Sequence, residues 1–147
     1  MIELGTGTAA DTADLIMDVN ESTFMKDVVE ASDLVPVIVD FWAPWCGPCK
    51  TLGPALEAEV LAANGAVKMA KIDVDQNQMI AGQMQIQSIP AVFAFYKGQP
   101  IDGFQGALPP SEIKAFVARV IEAGGGDPSS GLDDAIEAAA MMLEEGD

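Results

Sequence analysis

The sequence predicts an α/β domain, a mixed central β-sheet with helices on both faces, and three observations carry that reading. Short apolar runs rich in Val, Ile and Phe alternate with stretches of helical period, the pattern of strands joined through helices. The run 35–42 (V-P-V-I-V-D-F-W) is apolar on both of its alternating faces, as a strand buried from two sides must be. Finally, Lys97-Gly98-Gln99 is a tight turn, so the segments flanking it pair antiparallel.

The elements follow in order. Residues 15–19 read as a short strand, and 22–31 as a helix. Phe24 and Val28, and Met25 and Val29, are one turn apart there, with Asn20 or Ser22 as the cap. After the strand 35–42, a helix over 48–63 aligns Leu52, Leu56 and Val60 and ends at Asn64-Gly65. Pro54 within it removes one backbone hydrogen bond and should kink it. Residues 67–74 form a strand, 77–84 a short helix and 91–96 a strand, with 100–105 pairing back against it. Pro110 opens the next helix at its first position; Ile113, Phe116, Val117 and Val120 form its apolar stripe, and Gly124 ends it. The order is therefore β-α-β-α-β-α-β-β-α. Around this domain, 15–123, the sequence places a flexible leader (1–14), a Gly/Ser linker (124–131) and an extra C-terminal helix (132–147) with Leu132, Ile136, Ala139 and Leu143 on one face.

Charge excludes some functions. The chain of 147 residues has a net charge of −16, and its ends hold most of it: residues 1–20 carry four acids and residues 127–147 seven, with no base in either. Such a chain is a poor match for nucleic acid or an anionic membrane. No apolar run approaches the roughly 20 residues that span a bilayer. The N-terminus lacks the basic and apolar parts of a secretory signal, and two cysteines suit a reducing compartment, so a cytoplasmic location is expected.

Those two cysteines stand in Trp45-Cys46-Gly47-Pro48-Cys49, between the strand 35–42 and a helix start. A Cys-x-x-Cys pair can hold a metal, staple a loop or carry redox chemistry. A metal needs further ligands, and the chain has no His and no third Cys. A disulfide closing so short a loop stabilises little. A thiol at a helix N-terminus, by contrast, has its thiolate favoured by free N–H groups and the helix dipole. Asp40 adds a carboxylate inside an apolar strand, either a hydrogen-bonded core acid or a base of raised pKa. Three weaker motifs fall away. Asp73-x-Asp75-x-Asn77 opens like a calcium loop but has Gln78 and Met84 where glycine and glutamate are needed. Asn20-Glu21-Ser22 is a chance glycosylation sequon, and Met79, Met84, Met141 and Met142 read as core or helix filler.

The segment 39–50 (V-D-F-W-A-P-W-C-G-P-C-K) resembles the active-site segment of the thioredoxin family. The resemblance continues through Pro54, Lys71 in A-K-I-D, Ile89-Pro90 and Gly106-Ala107, and covers about residues 15–122. It implies the thioredoxin fold, a cis peptide bond before Pro90, and a thiol–disulfide oxidoreductase that needs no cofactor and no metal. Ala91 stands where the family usually has threonine, and Pro109-Pro110 replaces a polar helix cap.

On that resemblance Cys46 is the exposed nucleophile and Cys49, more buried, the resolving thiol. Asp40, coupled to Lys71, is the base for Cys49. Trp45, Gly47, Pro48, Ile89, Pro90 and Gly106 form the surface that meets substrate, with Gly47-Pro48 stiffening the turn. The implied partners are disulfide-containing proteins and a thioredoxin reductase. The tail adds a rival expectation, since a Gly/Ser linker and an Ala-rich helix also resemble chaperedoxins, in which tetratricopeptide-like repeats follow the redox domain and clients are held for a chaperonin.

Overall fold

A computed structural model describes residues 15–126. Residues 1–14 and 127–147, where the leader, most of the linker and the further helix are expected, lie outside the described residues.

Five strands form one sheet in the order β1-β3-β2-β4-β5: β1 (Ile16–Asp18), β2 (Val37–Trp42), β3 (Lys68–Asp73), β4 (Ala91–Tyr96) and β5 (Gln99–Gln105). β3 runs parallel to both β1 and β2, whereas β4 is antiparallel to β2 and β5 antiparallel to β4, so the sheet is mixed as expected. The final hairpin turns through Lys97 (φ 57°) and Gly98 (φ 80°), the left-handed pair that a two-residue connection requires.

Register decides what each face buries. Ile38 pairs with Met69 and Ala94 and faces the helices α2 (Gly47–Ala62) and α4 (Pro110–Ala123). Leu52, Leu56 and Val60 from α2, and Ile113, Phe116, Val117 and Val120 from α4, fill this layer. On the other face Val37, Val39, Phe41, Ala70 and Ile72 meet Val28 from α1 (Met25–Glu30) and Ile80 from α3 (Gln78–Gln83). β2 sits between both layers, which is why its sequence is almost continuously apolar.

The first helix differs from expectation. It is shorter than 22–31 and is wound as a π-helix, followed by a 3₁₀ turn at Ala31–Asp33. Ser32 is the physical reason at its end: its Oγ donates to the Val29 carbonyl (2.7 Å), taking the acceptor that a continuing α-helix would use. Neither Asn20 nor Ser22 caps this helix: Phe24 precedes it without a side-chain cap, and Asn20 Oδ1 instead accepts from the N–H groups of Ser22 and Thr23 in the turn ahead of it. Both described methionines of the expected filler set fit that reading: Met79 is 68% exposed on the helix Gln78–Gln83, and Met84 packs on the α1/α3 layer.

Candidate active site

β2 ends in the apolar layer and delivers the chain through Ala43-Pro44-Trp45 to the N-terminus of α2. Cys46 is the cap residue of that helix, in extended conformation, and Pro48 falls in the first turn, where a missing N–H costs nothing. Cys46 and Cys49 form a disulfide, with Cα atoms 5.4 Å apart. Cys46 Sγ also accepts the Cys49 N–H at 3.2 Å, so a helix-terminal donor points at this sulfur.

The expected contrast in exposure is absent. Cys46 is 4% and Cys49 6% exposed, since both sulfurs are tucked against Ala43, Trp42, Val74 and Ile89. The asymmetry between them is one of hydrogen bonding. Cys46 faces a backbone donor, while Cys49 lies a turn along the helix, in the wall of a cavity that Asp40 also lines.

Asp40 is 2% exposed and the only acid of the β2 run. It lines a cavity of about 240 Å³ together with Cys49, Gly53, Glu57, Lys71 and Trp42. Among the described residues its Oδ1 has no hydrogen-bond partner. Burial pushes its pKa up to about 6, against the opposing pull of Lys71 and with some help from Glu57. Lys71 is in cross-strand register with Asp40. Its ammonium, however, bonds Glu57 Oε2 at 2.9 Å and lies 5.8 Å from the centre of the Trp42 ring. The expected coupling of Asp40 to Lys71 thus acts through space rather than as a bonded pair. The hydrogen bond to Glu57 raises the lysine's pKa.

Beside the disulfide runs a second hollow, a groove of about 370 Å³ lined by Trp45, Val74, Ala81, Ile86, Ser88 and Ile89. Trp45 is 67% exposed, and its indole N–H donates to Asp75 Oδ2 at 2.8 Å, which sets the ring beside the groove. The Ile89–Pro90 peptide bond is cis, as the resemblance implies. Ile89 packs on the cysteines, and among the described residues its backbone enters no backbone–backbone hydrogen bond. Gly106 adopts φ +84° and donates its N–H to the Pro90 carbonyl at 2.8 Å, which ties the loop before α4 to the same corner. Gly47 and Pro48 are exposed at the rim.

The structure therefore gathers Cys46, Cys49, Trp45, Gly47, Pro48, Ile89, Pro90 and Gly106 around the disulfide, with Asp40 and Lys71 in the chamber next to it. Sequence reasoning missed Glu57, Asp75 and Val74. The signal for Glu57 was present in the helix period, because positions 49, 53 and 57 stack on one face of α2. Asp73 and Asn77, from the rejected calcium pattern, instead hold their own turn. Asp73 Oδ1 accepts the Asp75 N–H and the Asn77 amide donates to the Asp73 carbonyl.

Comparison with known proteins agrees with this geometry. The family model "Thioredoxin" matches residues 15–119. The chain is 45% identical over 100 residues to "Probable thioredoxin-2" of Caenorhabditis elegans, covering 68% of each chain. It is 40% identical over 95 residues to "Thioredoxin 1" of a Nostoc species, covering 65% of this chain and 87% of that one. With "Thioredoxin" of Haemophilus influenzae it shares 38% identity over 102 residues, 69% of this chain and 94% of the other. A five-stranded mixed sheet between two helical layers, with a Cys-Gly-Pro-Cys disulfide at the start of α2 and a family match through residue 119, shows that the chain belongs to the thioredoxin family.

Proposed function

We propose that this protein is a thiol–disulfide oxidoreductase that reduces protein disulfides through Cys46 and Cys49. The observation that carries the proposal is the redox pair itself: a disulfide at a helix N-terminus, Cys46 Sγ facing a backbone donor, and a buried carboxyl in the cavity that Cys49 lines.

In the reduced protein the Cys46 thiolate, favoured by the helix N-terminus, attacks one sulfur of a substrate disulfide. A Cys46–substrate bond forms, the substrate S–S bond breaks, and the leaving thiolate takes a proton from water. Asp40, ionised above about pH 6, then accepts the Cys49 proton. The Cys49 thiolate attacks Cys46 Sγ, the Cys46–Cys49 bond forms, and the second substrate thiolate departs. Two electrons have passed from the Cys46/Cys49 dithiol to the substrate. The Asp40 proton leaves through the chamber.

Trp45, Ile89 and the surface at Gly47, Pro48 and Gly106 support the docking of an extended substrate, because among the described residues the Ile89 backbone is free for strand-like pairing beside the sulfurs. Lys71 tunes Asp40 by its charge. A thioredoxin reductase returns the disulfide to the dithiol, in a reducing compartment, which the sequence reading takes to be the cytoplasm. No helix among the described residues is long and apolar enough to cross a membrane. The chaperedoxin reading, with its chaperonin partner, rests on residues outside the described domain, and no observation on the domain favours it.

The test is reduction of insulin disulfides by the pre-reduced protein. Wild type reduces them, Cys46→Ser does not, and Cys49→Ser accumulates mixed disulfides on Cys46 with turnover down about a thousandfold or more. Full activity in Cys46→Ser would refute the proposal.

A further inference from the structure

Lys71 starts from the backbone position directly across from Asp40, yet its ammonium turns away from that carboxyl. It is held at 2.9 Å by Glu57 and lies against the face of Trp42, while Asp40 Oδ1 has no partner among the described residues. Position 53, between Cys49 and Glu57 on the helix face, is a glycine, and a Cβ there would come within 3.8 Å of Asp40 Oδ2. Asp40, Glu57 and Lys71 all line the chamber of about 240 Å³.

We propose that Glu57 is a positioning residue of this site, holding the Lys71 ammonium at the chamber wall and so keeping that cation from closing on Asp40. The assignment rests on the reading of Asp40 as the base for Cys49. An ammonium bonded directly to the buried carboxylate would stabilise its charged form and make it a poor acceptor of the Cys49 proton. With no cation nearby, burial alone would keep Asp40 protonated further up the pH scale. Glu57 sets the distance between these extremes.

The other groups around Asp40 are few. From α2 come Cys49, Lys50 and Glu57, and from β3 comes Lys71. Its β4 partner is the uncharged Val92, and Asp18 on β1 is in register with Lys71 and adds to the field on that lysine. Glu57 is therefore the one acid in contact with the Lys71 ammonium among the described residues.

The experiment is an NMR titration of the Asp40 carboxyl carbon in the oxidised full-length chain. In wild type the midpoint is expected at about 6. Glu57→Gln removes a nearby negative charge and frees Lys71 to approach, so the midpoint falls by roughly one pH unit. Lys71→Met moves it the opposite way. In the Lys71→Met background the Glu57→Gln shift shrinks to less than roughly half, because the mediator is gone. An unmoved or raised midpoint in Glu57→Gln overturns the proposal. So does an undiminished shift in the Lys71→Met background, since Glu57 would then act by its own charge alone. The Glu57 side chain is 29% exposed and outside both core layers, so Glu57→Gln should fold as wild type does.

The resolving step provides a separate readout. If the Asp40 midpoint falls as expected while the pH profile of mixed-disulfide resolution stays in place, the Glu57 assignment stands. The role of Asp40 as the base is then what fails.

Discussion

Two hollows adjoin the Cys46–Cys49 disulfide and share no lining residue: a chamber walled by Asp40, Glu57 and Lys71, and a groove walled by Trp45, Val74, Ile86 and Ile89. The chamber is small, about 240 Å³, and is lined by a buried carboxyl with one oxygen unpaired among the described residues. The groove is larger, about 370 Å³, mostly apolar, and rimmed by an exposed indole. The difference teaches how one pair of sulfurs serves two tasks. Proton transfer needs a desolvated titratable group that substrate cannot touch. Recognition needs apolar surface and free backbone that substrate can reach. With no lining residue shared, each can change without the other.

Asp40→Asn tests that separation with the largest expected effect. It removes the acceptor for the Cys49 proton and leaves the groove alone. Resolution of the mixed disulfide should slow by about a hundredfold at pH 7, with substrate KM unchanged. The same substitution should stabilise the oxidised protein at alkaline pH. Asp40 is held at about 6 in the fold against 3.8 as its ordinary value, so the folded state binds the extra proton between those limits. Its contribution is fully present below 3.8 and is lost as pH rises through 6. Above that window a buried carboxylate costs about 3 kcal/mol, which Asn does not incur. Denaturant unfolding at pH 8 and at pH 3.5 checks this: the variant gains stability at the first and not at the second. A KM that rises together with the slow resolution would show that chamber and groove are one unit.

Most of this arrangement was legible in the sequence because it is written in local periods. The apolar run of β2 exposed Asp40 as the odd residue, and Cys-Gly-Pro-Cys after a strand announced the helix-terminal thiol. What was not legible depends on where long side chains end. Lys71 and Asp40 are neighbours by register, but four rotatable bonds carry the ammonium to Glu57. Relative exposure of the cysteines was also misread, because the walls burying Cys46 are Val74 and Ile89, from segments distant in sequence. The early end of α1 escaped for a related reason: the Ser32 hydroxyl competes for a carbonyl that a periodicity argument awards to the backbone.

Trp45→Ala acts from the groove side, with a smaller effect. The ring is 67% exposed, so stability should change little. Docking of a protein disulfide loses an aromatic surface, and kcat/KM should fall by roughly tenfold, mostly through KM. The pH profile of resolution should stay where wild type has it. A shift in that profile would mean the indole also shields the chamber, and the two sides could no longer be treated as independent.

Asp75→Asn makes the finest cut, because it alters only how the indole is held. Asp75 Oδ2 accepts the Trp45 N–H at 2.8 Å, while the Asp75 backbone N–H is fixed separately by Asp73 Oδ1. Asn keeps an oxygen acceptor and leaves the turn intact, but removes the negative charge that strengthens the bond. A charge-assisted bond to an exposed ring is worth about 1 kcal/mol, and its neutral replacement recovers part of that. The expected fall in kcat/KM is therefore only about two- to threefold, smaller than for Trp45→Ala and without a change in pH dependence. Titrating a series of peptide disulfides of differing charge separates the two contributions of Asp75. If the loss is uniform across the series, the carboxylate acts by orienting Trp45. If the loss is confined to basic peptides, Asp75 contacts substrate directly, and the groove carries a charge preference as well as an apolar one.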